Sequence, residues 1–187
     1  MAKILCPVWM GYVLLNPLRK LVEDPQKFLG DLVKQGMLVV EAGCGMGYFT
    51  LPLARMVGNS GRVVAIDLQE GMLRALRKRA YKRGLGNRIE TRLTGEGPLP
   101  LADLEGKVDL VVAIHVIHEV NDQDNFLSDL ARALKAGGTF LCAEPRGHVK
   151  EHEFEATLAI LLSLGLDRVE RRKHLTSHSA VLKKLGE

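Results

Sequence analysis

The sequence predicts an α/β fold. Seven strands form a mostly parallel sheet with helices on both faces, and an antiparallel hairpin closes its C-terminal edge. Three observations predict it. Short apolar runs alternate with longer amphipathic stretches, the rhythm of β-α-β units. Glycines punctuate the ends of the helical stretches. The last two strand-like runs, 166–173 and 177–185, lie too close together for a crossover helix, so they must run antiparallel.

Each element has its own signature. Residues 18–35 carry helical spacing and stop at Gly36. Residues 37–41 are the first apolar strand, of the kind buried on both faces of a parallel sheet. Residues 48–57 read as a helix, closed by Gly58-Asn59-Ser60-Gly61. Residues 62–67 are the second strand, and 69–84 a helix ending at Gly84. Residues 88–93 make the third strand, followed by the longest irregular piece, 94–107. Residues 108–114 are the fourth strand, 122–138 a helix with a Gly137-Gly138 stop, and 139–144 the fifth strand. A helix over 151–165 then leads into the hairpin. Without internal repeats, 187 residues suit one domain spanning 1–187. Residues 1–27 form an N-terminal helical segment suited to act as a lid, with Trp9 and Tyr12 on it.

Composition removes several classes. The apolar fraction of 47% favours a collapsed fold over disorder. No apolar run approaches the roughly 18 residues that span a bilayer. The N-terminus has one lysine and an apolar run, but Pro7 interrupts the run and no small-residue cleavage site follows. Contact of this segment with a membrane surface is the alternative to a packed helix. Cys6, Cys44 and Cys142 form no CxxC pair, which fits a reducing compartment, the cytoplasm, and gives no metal signature. The net charge of +4 comes largely from the runs 74–83 and 168–174. They read as solvated faces, with nucleic acid as the alternative partner.

The chemistry concentrates in VVEAGCGMGYFTLPLARMVG, residues 39–58. Gly43, Gly45 and Gly47 follow the first strand and open a helix, at the strand end where open parallel sheets bind ligands. Glycine permits the tight turn, the close approach of backbone to ligand, and packing of a helix near the strand. Glu41 ends the first strand and Asp67 the second. A carboxylate at Asp67 can accept two hydrogen bonds from a ribose diol, and it also fits as a cap for the helix at Gln69. A dinucleotide fingerprint wants glycine at position 48, which is Tyr48 here. Glu41 is a poor neighbour for pyrophosphate and a good one for an ammonium or sulfonium. That description matches S-adenosylmethionine.

These residues resemble the glycine-rich first motif of class I S-adenosylmethionine-dependent methyltransferases. Residues 61–80, GRVVAIDLQEGMLRALRKRA, resemble their second-strand motif, 107–122 their fourth-strand segment, and 126–144 their helix and fifth strand. The flavour is that of the ubiquinone and menaquinone biosynthesis methyltransferases, and the resemblance covers about residues 28–185. It implies a Rossmann-like sheet and S-adenosylmethionine as cofactor. It also implies that Gly43, Gly45 and Gly47 line the methionine and ribose part near Glu41, with Asp67 on the ribose hydroxyls. Leu68 should pack on adenine, with Gln69 nearby and Met72 behind it. Ala113 and His115 should border the methionine moiety. Many relatives carry an aspartate where this chain has Gly95, and Glu96 stands in one position along. Ala136 replaces the usual proline before Gly137-Gly138.

Methyl transfer from a sulfonium needs alignment and exclusion of water, and a general base only when the acceptor arrives protonated. The candidates are His115, His118 and Glu119 in AIHVIHEV, where Glu119 could also orient a histidine. Packing or capping at the sheet edge is the alternative role for His118. Glu144, Arg146 and His148 follow the fifth strand, and Arg146 could hold an anionic substrate group or a surface carboxylate. The leading expectation is methyl transfer to a small-molecule acceptor by a monomer or homodimer. An RNA or protein methyltransferase and a non-catalytic cofactor-binding protein are the alternatives. No Asn-Pro-Pro-Tyr motif follows the fourth strand; HVIHEV stands in its place.

Overall fold

A computed structural model describes residues 11, 15–16, 19, 23–95, 97–173 and 176–186. Trp9, Tyr12, Cys6 and Glu96 lie outside the described residues, as does most of the expected lid segment. The strands make a Rossmann-like, mostly parallel sheet of seven with an antiparallel C-terminal pair. The chain divides into two compact units, one over Leu5–Gly95 and one over Glu96–Glu187.

The first unit begins with α1, Pro25–Leu29. The expected helix over 18–35 is, in its described part, helical only here and at Arg19. The physical reason is Pro25. It has no N–H to continue a helix but sits well in a first turn, and the Asp24 carboxylate caps that turn by accepting from Gln26 N–H at 3.0 Å. Strands β1 (Leu38–Ala42), β2 (Arg62–Asp67) and β3 (Ile89–Leu93) run parallel, with Glu41 beside Ala65 and Asp67 beside Leu93. Val39, Val40, Val63, Val64 and Ala65 are completely buried, as continuous apolar runs of a parallel sheet require. Helix α2 (Thr50–Met56) is shorter than expected, because the glycine loop winds through turns before helical geometry sets in. Helix α3 (Glu70–Tyr81) buries Met72, Leu73, Leu76 and Ala80 on one face. Its basic run is the outer face, with Arg74, Lys78 and Lys82 exposed.

In the second unit β4 (Val108–Ile114) pairs parallel with β5 (Leu134–Pro145). Between them α4 (Gln123–Ala133) starts at Asp122, whose side chain accepts from Asn125 N–H. Strand β5 starts earlier than expected and absorbs the Gly137-Gly138 turn, where the β4 register shifts between Val108 and Leu110. Helix α5 (Glu151–Ser163) precedes the hairpin β6 (Leu166–Lys173) and β7 (Ser177–Lys184). Strand β7 pairs antiparallel with both β5 and β6, leaving β6 at the edge. Arg171 on β6 forms ion pairs with Glu151 and Glu155 of α5, which ties that edge strand to its covering helix. Among the described residues no helix is long and apolar enough to cross a membrane.

Candidate active site

The first unit gathers its candidate residues where β1 and β2 end side by side. The backbone N–H groups of Gly43 and Cys44 both donate to Ile66 O, at 2.9 and 3.0 Å, so the glycine loop folds across the end of β2. Gly45 N–H then donates to Asp67 Oδ2 at 2.8 Å, and Gln69 N–H donates to Asp67 Oδ1 at 2.9 Å. Asp67 therefore does both jobs that its position allowed. It steadies the turn into α3, and each oxygen keeps capacity for a further donor. Burial raises its pKa, opposed by the bonds from Gln69, Gly45 and Leu68.

Two glycines are needed for stated reasons. Gly47 has φ +83°, and a Cβ there would stand 2.4 Å from Leu76 Cδ1 of α3. Gly45 has φ +51°, and a Cβ there would meet nothing within 4 Å, so the loop faces open space at this point.

Glu41 is only 4% exposed. Its Oε2 has no hydrogen-bond partner among the described residues. Burial pushes its pKa up to about 8, Thr50 on the first turn of α2 opposes the rise, and the charge of Asp67 adds to it. The Thr50 hydroxyl lies close enough to matter, yet it too forms no hydrogen bond of ordinary geometry among the described residues. Cys44 in the loop is buried, and its thiol is held well above the usual range, so it is an inert packing group. Leu68, at the end of β2, is 44% exposed, an unusual position for a large aliphatic side chain. Tyr48 Oη donates to Glu23 O at 2.7 Å under the Arg19 guanidinium, which lies 4.2 Å from the ring centre. These contacts tie the segment before β1 to the far end of the glycine loop.

The second unit presents its groups at the ends of β4 and β5. Ala113 is buried on β4 beside Cys142. His115, the first residue past β4, has φ +57°, the only positive φ outside glycine among the described residues. Its N–H donates to Ala143 O and its Nε2 lies 2.8 Å from Ser177 Oγ on β7. His118 sits on a 3₁₀ turn, Ile117–Glu119. Glu144, only 1% exposed at the end of β5, holds that turn. Its Oε1 accepts from Val116 and Ile117 N–H at 3.2 and 3.0 Å, and its Oε2 accepts from His118 N–H at 3.2 Å and pairs with His118 Nδ1. Glu119 lies on the same turn, half-buried. The carboxylate that pairs with His118 Nδ1 is Glu144. A cavity of roughly 290 Å³ opens beside this group, lined by His118, Glu144, His148, Gln123, Glu153 and Thr157, with Val149 its apolar member. Arg146 lies outside that lining and donates from Nε to Ser177 O at 3.3 Å. Neither Ser177 nor the Glu144–His118 pairing was marked by any local motif. The one available signal was a carboxylate, Glu144, ending an otherwise apolar strand.

Residues 40–142, more than half of the chain, match the methyltransferase domain family. The chain belongs to the class I S-adenosylmethionine-dependent methyltransferases. Among curated methyltransferases it is 30% identical over 112 residues to the ubiquinone/menaquinone biosynthesis C-methyltransferase UbiE of Hydrogenovibrio crunogenus, a match covering 60% of this chain and 43% of that protein. The chain spans less than half the length of the curated relatives it matches. The crystal structure of an S-adenosylmethionine-dependent methyltransferase from Aquifex aeolicus superposes with a TM-score of 0.85 at 25% identity, covering 97% of this chain and all of that one. The [4+2]-cyclase SpnF shares the fold at 16% identity and TM-score 0.72, covering 86% of this chain and 80% of its own. Fold alone therefore does not specify the reaction.

S-adenosylmethionine is the cofactor of this methyltransferase family, and the residues present fit it. The orphaned, deeply buried Glu41 Oε2 suits the cationic end of its amino-acid moiety. Open space over Gly45 suits the ribose and methionine portion, and the spare lone pairs of Asp67 suit the diol. Exposed Leu68 offers an apolar face to a purine.

Proposed function

We propose that this methyltransferase transfers the methyl group of S-adenosylmethionine to a small-molecule acceptor. The observation that carries the reading is Glu41: a buried carboxylate with one oxygen unsatisfied, at a strand end above a glycine loop. A buried acid without a partner is costly, and a cationic ligand relieves that cost. Bound there, the cofactor supplies a methyl group on sulfonium, and the electron pair of the breaking C–S bond stays on sulfur as S-adenosylhomocysteine is released. The chain's own part is to hold and align. Glu41 neutralises the cationic end, Asp67 fixes the sugar, and the loop amides crossed over β2 hold the geometry. His115, His118 and Glu119, all just past β4, are the candidates for handling the acceptor's proton. The 30% identity to a quinone-biosynthesis C-methyltransferase supports a small acceptor. The buried free thiols Cys44 and Cys142 suit the cytoplasm.

A second reading, RNA as acceptor, is favoured by one surface. Arg74 and Lys78 stand exposed on α3 and Lys82 just past its end, beside Tyr81, which is 85% exposed. Two measurements decide. Calorimetry should show S-adenosylhomocysteine binding that weakens when Asp67 becomes alanine. Labelled methyl groups should pass into a small-metabolite extract and not into total RNA. Well-folded protein that binds neither S-adenosylmethionine nor S-adenosylhomocysteine overturns the function, and label in RNA overturns the choice of acceptor.

A further inference from the structure

Strand β3 stands at one end of the sheet, and among the described residues it pairs only with β2. One bond tells which of its backbone groups face outward. Thr94 N–H, just past the strand, donates inward to Asp67 O of β2. Backbone direction alternates along a strand, so residues 90 and 92 also turn their N–H and C=O groups towards β2. Ile89, Thr91 and Leu93 turn theirs outward. Side chains alternate too, between the two faces of the sheet. Arg77 of α3 donates to Thr91 Oγ1 at 3.0 Å, which puts Ile89, Thr91 and Leu93 on the α3 face. Glu90 and Arg92 share the opposite face, where they pair with each other and Glu90 meets Arg62 of β2 at 3.2 Å.

The two edges of the sheet differ. Strand β6 has a register shift between Arg168 and Glu170 and carries Arg168, Arg171, Arg172 and Lys173. Bulges and like charges are how an edge repels a further strand. Strand β3 keeps regular register and has no proline. Its sequence, IETRL, runs aliphatic, acidic, hydroxyl, basic, aliphatic, and is its own complement when reversed. Laid antiparallel on a second copy and centred on Thr91, it sets Thr91 against Thr91, Ile89 against Leu93 and Glu90 against Arg92. The outward-facing residues then exchange backbone hydrogen bonds. The charged residues fall on the non-hydrogen-bonded pairs, where side chains come closest. Centring on Glu90 or Arg92 would oppose like charges, so electrostatics selects one register. Leu93, 52% exposed, gains an aliphatic cover from Ile89 of the second copy.

We propose that β3 pairs antiparallel with β3 of a second copy, about a two-fold axis at Thr91, to make a homodimer with one continuous sheet. The interface is isologous, so each unlike pair occurs twice. It does not depend on the identity of the methyl acceptor. One strand of five residues buries little area, so the dimer is weak and depends on concentration.

Sedimentation velocity on the full chain tests this. The unmodified protein should move from monomer to dimer as its concentration rises to about 0.5 mM. Glu90→Arg and Arg92→Glu, each alone, should weaken dimerisation at least about tenfold, because each opposes like charges twice. Mixed in equal amounts, the two variants should recover it. Arg92 of the first then faces Glu90 of the second, and the two introduced charges meet with opposite sign. Cysteine cross-linking reads the register without changing a charge. Facing Cα atoms of a hydrogen-bonded pair lie about 5.5 Å apart, within disulfide reach. Mild oxidation should therefore cross-link Thr91→Cys above the background set by the unmodified protein. Leu93→Cys, which faces Ile89, should cross-link far less. A monomer throughout that concentration range, a dimer indifferent to both charge reversals, no recovery on mixing folded variants, or no cross-link at position 91 overturns the proposal.

Discussion

Glu41 and Glu144 are buried almost equally, at 4% and 1% exposure, yet their surroundings are opposite. Each is the penultimate residue of a strand in a parallel pair, β1 with β2 and β5 with β4. Glu144 accepts from three consecutive backbone N–H groups and meets an imidazole. Glu41 leaves Oε2 with no partner among the described residues and has its pKa pushed up to about 8. Depth of burial does not separate a holding residue from a receiving one. Satisfaction does. A carboxylate whose acceptors are filled organises the protein, and one whose acceptors are empty is stabilised when a ligand arrives.

Replacing Glu144 by alanine is the sharpest way to break this contrast. It strands one buried and two part-buried amides and a histidine, and should cost about 3 kcal/mol in urea unfolding. Glu41→Gln should not destabilise the ligand-free protein. Its cost should appear in binding, with S-adenosylhomocysteine affinity in calorimetry falling roughly 100-fold, about 2.7 kcal/mol. Equal losses of stability in the two variants would erase the distinction.

The next effect follows from protons. The folded pKa of Glu41, about 8, lies above its ordinary value of 4.5, so the folded state holds a proton that the unfolded chain has released between those limits. Its contribution to stability is fully present below the ordinary value and is lost as pH rises through about 8. Glu41→Gln should therefore gain stability relative to the unmodified protein from near pH 5 upward and level off above about pH 8, as read by urea midpoints. Binding of a cationic ligand near pH 7 should expel up to about one proton, and close to none near pH 9. Calorimetry in buffers of different ionisation enthalpy reads that number directly. The smallest effect belongs to the scaffold. Gly47→Ala should cost about 1–2 kcal/mol, from the positive φ and from pushing Leu76 aside, with affinity changed less than by Glu41→Gln.

The two halves also differ in how legible they were. The order of strands and helices, the antiparallel close, and the carboxylates at the ends of β1 and β2 could all be read along the chain. The helix ahead of β1 could not be drawn correctly from spacing, because Pro25 resets it and Asp24 recaps it. Strand β5 begins earlier than its apolar core suggests, because Leu134 pairs with Val108 of β4 ahead of the Gly137-Gly138 turn.

What the sequence by itself determined is the cluster at the ends of β1 and β2. Glu41, the glycines and Asp67 are set by local turns and by one β-α-β unit, so their spacing along the chain already encodes their spacing in space. What tertiary structure decided is the cluster at the ends of β4 and β5. His118 meets Glu144 across 26 residues and His115 meets Ser177 across 62, through the pairing of β4 with β5 and of β5 with β7. Only strand register brings such groups together, and register is a property of the folded sheet that no single segment carries.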